Sequence, residues 1–193
     1  MAQNSRLLVV DGARIRTSSV RLTPGTSMGL GTEAIAVMKA RIPLSALSIS
    51  MVDGTTNGSI GNKAILTFPA RGIIVLGSVM NFTGIVNGAG IVTNGVVKYA
   101  MGTVAAVTND TMGTTQSDLM PILSLTAVLQ AASGKKTAGI PVANGFSTGG
   151  FIDASAGTTQ IFLNVGAADA QSTANTTIVI TGEIDIFYIE SGV

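Results

Sequence analysis

Glu183 and Asp185 stand two residues apart in the stretch TGEIDIFYI, on one face of a predicted strand. Paired carboxylates at that spacing suit general acid–base work or a calcium ion. No third acid adjoins them, and a solvated strand face accounts for both without a ligand. Gly29-Leu-Gly-Thr-Glu-Ala34 has the G-x-G-x-x-A spacing of a dinucleotide turn. That motif requires glycines that end a buried strand and open a helix onto a pyrophosphate, whereas here the preceding residues are TPGTSM. A plain turn is the better reading. The segment AASGKKT, 131–137, resembles a phosphate loop but has Leu129 where a glycine is required and Lys136 where a serine or threonine is required.

The chain contains no histidine and no cysteine. Without imidazole no side chain titrates near neutrality by default, and without thiols there is no cysteine nucleophile, zinc thiolate or disulfide. Serine and lysine are present, but no hydrolase motif joins them. The sequence therefore predicts a non-enzyme with no catalytic residues, no cofactor and no bound metal.

The elements that would carry these residues read as strands. Glycine (24 of 193 residues) and polar turn residues punctuate short aliphatic runs, and only 11% of residues are charged, so the chain must bury much of its surface. Mean hydropathy is +0.52, yet no run approaches the ~20 apolar residues of a membrane helix. Ile42, Leu44 and Ala46 alternate, then Leu47, Ile49 and Met51 alternate one residue out of phase, which predicts a bulge at Ala46-Leu47. Asp53-Gly54 ends that strand; Asn57-Gly58 and Gly61-Asn62 read as turns before a strand at 64–68. Further strands are predicted at 72–82 and 96–107, separated by a glycine- and asparagine-rich connection at 83–95. Residues 117–124 read as irregular or strand, GKKTAGIPVANG as a loop, and 159–165 as a strand. In the last strand Ile178, Ile180, Ile184, Ile186 and Tyr188 share one face, with Thr177, Thr181, Glu183 and Asp185 on the other.

Residues 1–41 are less regular, with a Pro24-Gly25 turn and a short helix predicted at Thr32–Ala40. They carry Arg6, Arg14, Arg16, Arg21, Lys39 and Arg41 against Asp11 and Glu33, a net charge of +4. Beyond Met101, Lys135 and Lys136 face seven acids, a net of −5. A basic arm and an acidic body attract each other or seat the arm on an acidic partner. No interleaved aromatics accompany the arm, so nucleic acid is not the expected partner, and no membrane is. The start of the chain has no apolar signal-peptide core, which predicts synthesis in a cytoplasm. The fold class expected is all-β: an antiparallel, jelly-roll-like β-sandwich over 42–193 with residues 1–41 as an extended N-terminal arm.

Asp53-Gly54, the run from Ile65 through Gly72 into Ile73-Ile-Val-Leu-Gly-Ser78, Met101-Gly-Thr-Val-Ala-Ala106, the run Met112 to Pro121 and the closing strand 178–189 together resemble tailed-bacteriophage head decoration, or cement, proteins. The resemblance spans most of 53–193. It implies a jelly-roll-like domain, often trimeric, on the exterior of a capsid, with the major capsid protein and further copies of itself as partners. It implies no catalytic residues. On this reading the six basic residues of the arm are the candidate capsid or subunit contacts. The alternatives are another phage head or tail component, or a glycan-binding host-recognition module; the latter would need an aromatic platform that eight aromatic residues and no tryptophan scarcely supply.

Overall fold

The computed structural model describes residues 9–10, 13–14, 16–21, 36–54, 58–70, 72–87, 90–92, 95–107, 112, 115, 117–126, 132–139, 151–153 and 157–191. Within these, only the backbone is described for 9–36, 121, 123, 125–139, 151–153 and 191. The strands are β1 (Val9–Val10), β2 (Ala13–Arg14), β3 (Arg16–Arg21), β4 (Ala36–Asp53), β5 (Ser59–Phe68), β6 (Gly72–Asn87), β7 (Val96–Gly102), β8 (Met120–Thr126), β9 (Ala132–Gly139), β10 (Phe151–Asp153), β11 (Thr159–Ala167) and β12 (Thr176–Ser191). Pairing is antiparallel throughout, and helix is almost lacking among the described residues, which include a 3₁₀ turn at Asp169–Gln171.

β1 and β2 form a small ribbon; the other ten strands form one sheet ordered β10-β6-β12-β4-β5-β11-β7-β8, with β9 also on β6 and β3 also on β4. That sheet is curled. Five strand spacings separate β6 from β7 along it, roughly 24 Å if it were flat. Yet the rings of Phe82 in β6 and Tyr99 in β7 lie 4.7 Å apart, and Phe68 in β5 meets Tyr188 in β12 edge-on at 5.0 Å. The fold-back is built at β4. Its far edge pairs with β3 over Ala36–Arg41 but with β5 only at Val52 and Asp53, so β5 leaves for the second half of the sheet. The turn between them is closed by Gly54 N–H donating to the Gly58 carbonyl at 2.9 Å, with Gly58 at φ 72°.

Between the halves lies one apolar core. Ile178, Ile180, Ile184 and Ile186 of β12 face Ile161, Leu163 and Val165 of β11 and Val97, Tyr99 and Met101 of β7 within it. Alternation in these strands is therefore a true inside–outside pattern. The one-residue slip at Ala46-Leu47 is a bulge: Ile180 opposes Leu47 and Gly182 opposes Leu44, leaving Ser45 and Ala46 against Thr181. Ala46 takes φ 53° there, and Gly182 at φ 152° lies so close to the backbone of Asn81 and Phe82 that a side chain would overlap them. Pro121 sits in β8, the last strand of the path, where a missing N–H is tolerated.

Several sequence expectations are corrected. The helix expected at Thr32–Ala40 is strand from Ala36 onward, because β12 and β3 flank that segment and tertiary pairing overrides helix propensity; 32–35 lie outside the described residues. β4 thus runs unbroken across the 41/42 boundary expected between arm and body. Gly61-Asn62 is not a turn but lies inside β5, where a Cβ at Gly61 would overlap the Ser50 carbonyl. β6 continues through Asn87 into the expected connection, with Gly84 packed under the Tyr99 ring. β7 stops at Gly102, and Gly134–Gly139 of the expected loop belongs to β9, paired with β6.

Candidate interaction face

Two outer faces result from the fold-back, and different chemistry closes each. On the outer face of β4, β12 and β6, Arg41 opposes Asp185 and Lys39 opposes Phe187 in register. Lys39 Nζ lies 2.6 Å from Asp185 Oδ2, and Arg41 Nε donates to Asp185 Oδ1 at 3.0 Å. Glu183 reaches Arg41 less closely, at 3.7 Å. The Lys39 ammonium also stands 5.4 Å from the centre of the Phe187 ring. Burial by itself raises the Asp185 pKa, but the hydrogen bonds and charges of Arg41 and Lys39 outweigh it and hold the carboxyl below its ordinary value. Asp185 is therefore a fixed anion between two cations, the reverse of what proton transfer at neutral pH requires.

Arg16 of β3 opposes Arg41, and Ser18 opposes Lys39, so β3 extends the same sheet by one strand. Of the six basic residues singled out by sequence, Lys39 and Arg41 are brought together with the acids of β12. Arg16 and Arg21 lie in β3, Arg14 lies in β2 paired with Val9, and Arg6 is outside the described residues. The attraction between basic and acidic regions is realised inside one chain for Lys39 and Arg41. The G-x-G-x-x-A segment at 29–34 also lies outside the described residues, and Ala132–Thr137 of the phosphate-loop look-alike is strand.

On the other outer face, that of β5, β11 and β7, the chain after β7 folds back as a strap. Ala106 and Met112 pack on Ile60 and Ala100 in a second small cluster. Asn164 of β11, fully buried, accepts from the Ala106 N–H at 2.9 Å and donates to the Val104 carbonyl at 3.0 Å. Asn62 of β5 donates to the Ala106 carbonyl at 2.9 Å. At the root of the strap the buried Asp118 carboxylate accepts from Thr103 N–H at 2.9 Å and from Thr103 Oγ1–H at 2.7 Å. Burial raises the Asp118 pKa, and the Thr103 hydrogen bonds only partly offset it. Val107 and Val104, 65% and 44% exposed, stand on the outside of this anchored strap. Sequence reading missed the strap entirely.

Nearby, Asp53, Ser59 and Ser172 form a polar knot in which Ser59 and Ser172 share a hydrogen bond and Ser172 Oγ donates to Asp53 Oδ1 at 3.3 Å. The Asn175 side chain accepts from Asp53 N–H at 2.8 Å, tying the β4–β5 turn to the entry of β12. Among the described residues no group of three or more Asp or Glu side chains converges as a metal site, and no helix is long and apolar enough to cross a membrane. What these networks do is fix backbone.

No protein-family model and no curated protein sequence matches the chain. Among solved structures, a chain of the acidic stable capsid structure of Helicobacter pylori bacteriophage KHP30 is similar at a TM-score of 0.25 and 10% identity, covering 79% of this chain and 93% of that chain. A superposition that loose carries no argument about the present protein.

Proposed function

We propose that the protein is a structural component of a tailed-phage virion, a jelly-roll decoration protein that sits on the exterior of the head, bridges capsomers of the major capsid protein and assembles with copies of itself as a trimer. The observation that carries this reading is the strand order. β4-β12-β6 followed by β9 and β10 makes one half, and β5-β11-β7-β8 makes the other, with the chain crossing between halves, an order that supports the jelly-roll reading. That architecture recurs in viral capsid components, and it agrees with the family that residues 53–193 resemble.

The chemistry of the surface supports the same reading. Charged side chains on the sheet face neutralise one another, and buried amides and carboxylates hold backbone. Exposed Val52, Val104, Val107 and Ile122 leave apolar contact area. Many weak contacts repeated over a lattice give tight attachment without any strong single site. Of the basic residues of the arm, Arg6, Arg14, Arg16 and Arg21 are the proposed contacts for an acidic neighbour, because Lys39 and Arg41 are already engaged with Asp185.

Cryo-microscopy of the virion tests this. Density fitting the curled ten-strand sheet on the outer surface of the head is the expected result. Density confined to the tail, or to the inside of the shell, would overturn it.

A further inference from the structure

We propose that β1–β3 are exchanged between copies, the arm of one chain pairing with β4 of a neighbour in the register that it takes here within one chain. β3 is an edge strand: among the described residues it pairs with β4 alone, over six residues from Arg16 opposite Arg41 to Arg21 opposite Ala36. β2 approaches β4 and β1 approaches β5, so the arm lies along the seam where β5 leaves β4. Two arginines directly opposite one another weaken that pairing, and the acid that holds Arg41 stands on β12, on the far side of β4. The arm is thus an added strand that can open while β4 stays paired with β12.

Chain length selects the occupant. Arg21 and Ala36 are register partners, about 5 Å apart, and a hairpin loop of about two to five residues closes such a gap. The chain places fourteen there, residues 22–35, whose full extension is about 46 Å. That surplus closes nothing within one chain, but it reaches β4 of an adjoining copy. The seam is already built for this occupant: the donated arm has the same sequence and takes the same register, so every hydrogen bond given up in one chain is regained in the other. Closing the loop within one chain sets an effective concentration in the millimolar range, and copies held side by side in an assembly match it. Neighbours are then linked by paired strands as well as by surface contact.

The exchange rests on the self-assembly proposed above, and its test keeps the two apart without any shells. The chain has no cysteine, so introduced sulfurs meet only each other. Val20 and Val37 are register partners, within disulfide reach only when β3 lies on β4. Full chains carrying Val20→Cys alone and Val37→Cys alone are mixed under reducing conditions at about millimolar concentration, then oxidised, and the products are weighed by mass spectrometry. A disulfide-linked pair with one chain of each kind is expected, about tenfold or more above the like-with-like pairs of either variant alone, because only register partners hold their sulfurs at bonding distance. Ser19→Cys with Met38→Cys, the adjoining register pair, decides the matter if circular dichroism shows either valine variant unfolded. Mixtures that yield no mixed pair, or no more of it than of like-with-like pairs, would overturn the exchange, whether or not the double variant Val20→Cys/Val37→Cys closes within one chain. Sedimentation of the wild-type chain then separates the two readings: oligomers leave self-assembly standing through another surface, and a monomer removes both.

Discussion

The two outer faces of the curled sheet are closed in opposite ways. Over β5, β11 and β7 the protein uses its own chain, held by Asn62, Asn164 and Asp118 through short bonds to backbone. Over β4, β12 and β6 it uses a row of ion pairs open to water. A buried amide that satisfies two backbone groups is costly to remove, because those groups are left desolvated and unpaired. A half-exposed ion pair contributes little and weakens with salt. The strap face should therefore govern stability, and the charged face should contribute little to it.

The comparison breaks most readily at Asn164. Asn164→Leu strands the Val104 carbonyl and the Ala106 N–H, and chemical denaturation should show a loss of about 3 kcal/mol that salt does not change. A loss below about 1 kcal/mol would mean that the strap is not anchored as described. On the other face, Asp185→Asn should cost about 1 kcal/mol at low salt, shrinking toward zero at high salt. A salt-independent loss of several kcal/mol would make the two faces alike. Between the faces, the fully buried Tyr99 hydroxyl has no hydrogen-bond partner among the described residues, and Tyr99→Phe should leave stability unchanged or raise it by up to about 1 kcal/mol. Marked destabilisation there would show that the hydroxyl is satisfied after all.

The finest distinction is in pH. The Asp118 pKa is raised, so the folded protein binds that proton more readily than the unfolded chain, and stability from this group rises as pH falls through its folded value toward the unfolded one. The Asp185 pKa is lowered, so its contribution is present above the unfolded value and is lost as pH falls through the folded one. Asp118→Asn should be within about 0.5 kcal/mol of wild type at neutral pH, since an amide can still accept from Thr103 N–H, and should remove the gain on mild acidification. Thermal melts from pH 7 to pH 3 read both limbs.

How much of this the sequence discloses depends on where each partner lies. β12 was legible because its five inward residues share a parity, and the bulge was legible because a slip at Ala46 reverses that parity. β9 was not: Ser133-Gly-Lys-Lys-Thr137 has no alternation to read, since its order comes from pairing with β6. Asn164 was legible only as one residue of the strand read over 159–165. Its burial follows from a strap rooted about sixty residues earlier, which local periodicity does not encode. The charged row lay between these cases. Its opposite net charges were visible, but the pairing of Lys39 and Arg41 with Asp185 requires β4 and β12 to be neighbours, a long-range fact.

The claim on which the account turns is that this molecule works by attaching to a protein lattice. Cosedimentation of the purified full chain with phage heads stripped of it measures that directly. Saturable retention at a fixed number of copies per head is predicted. Heads that pellet without it at every concentration tested would contradict the account.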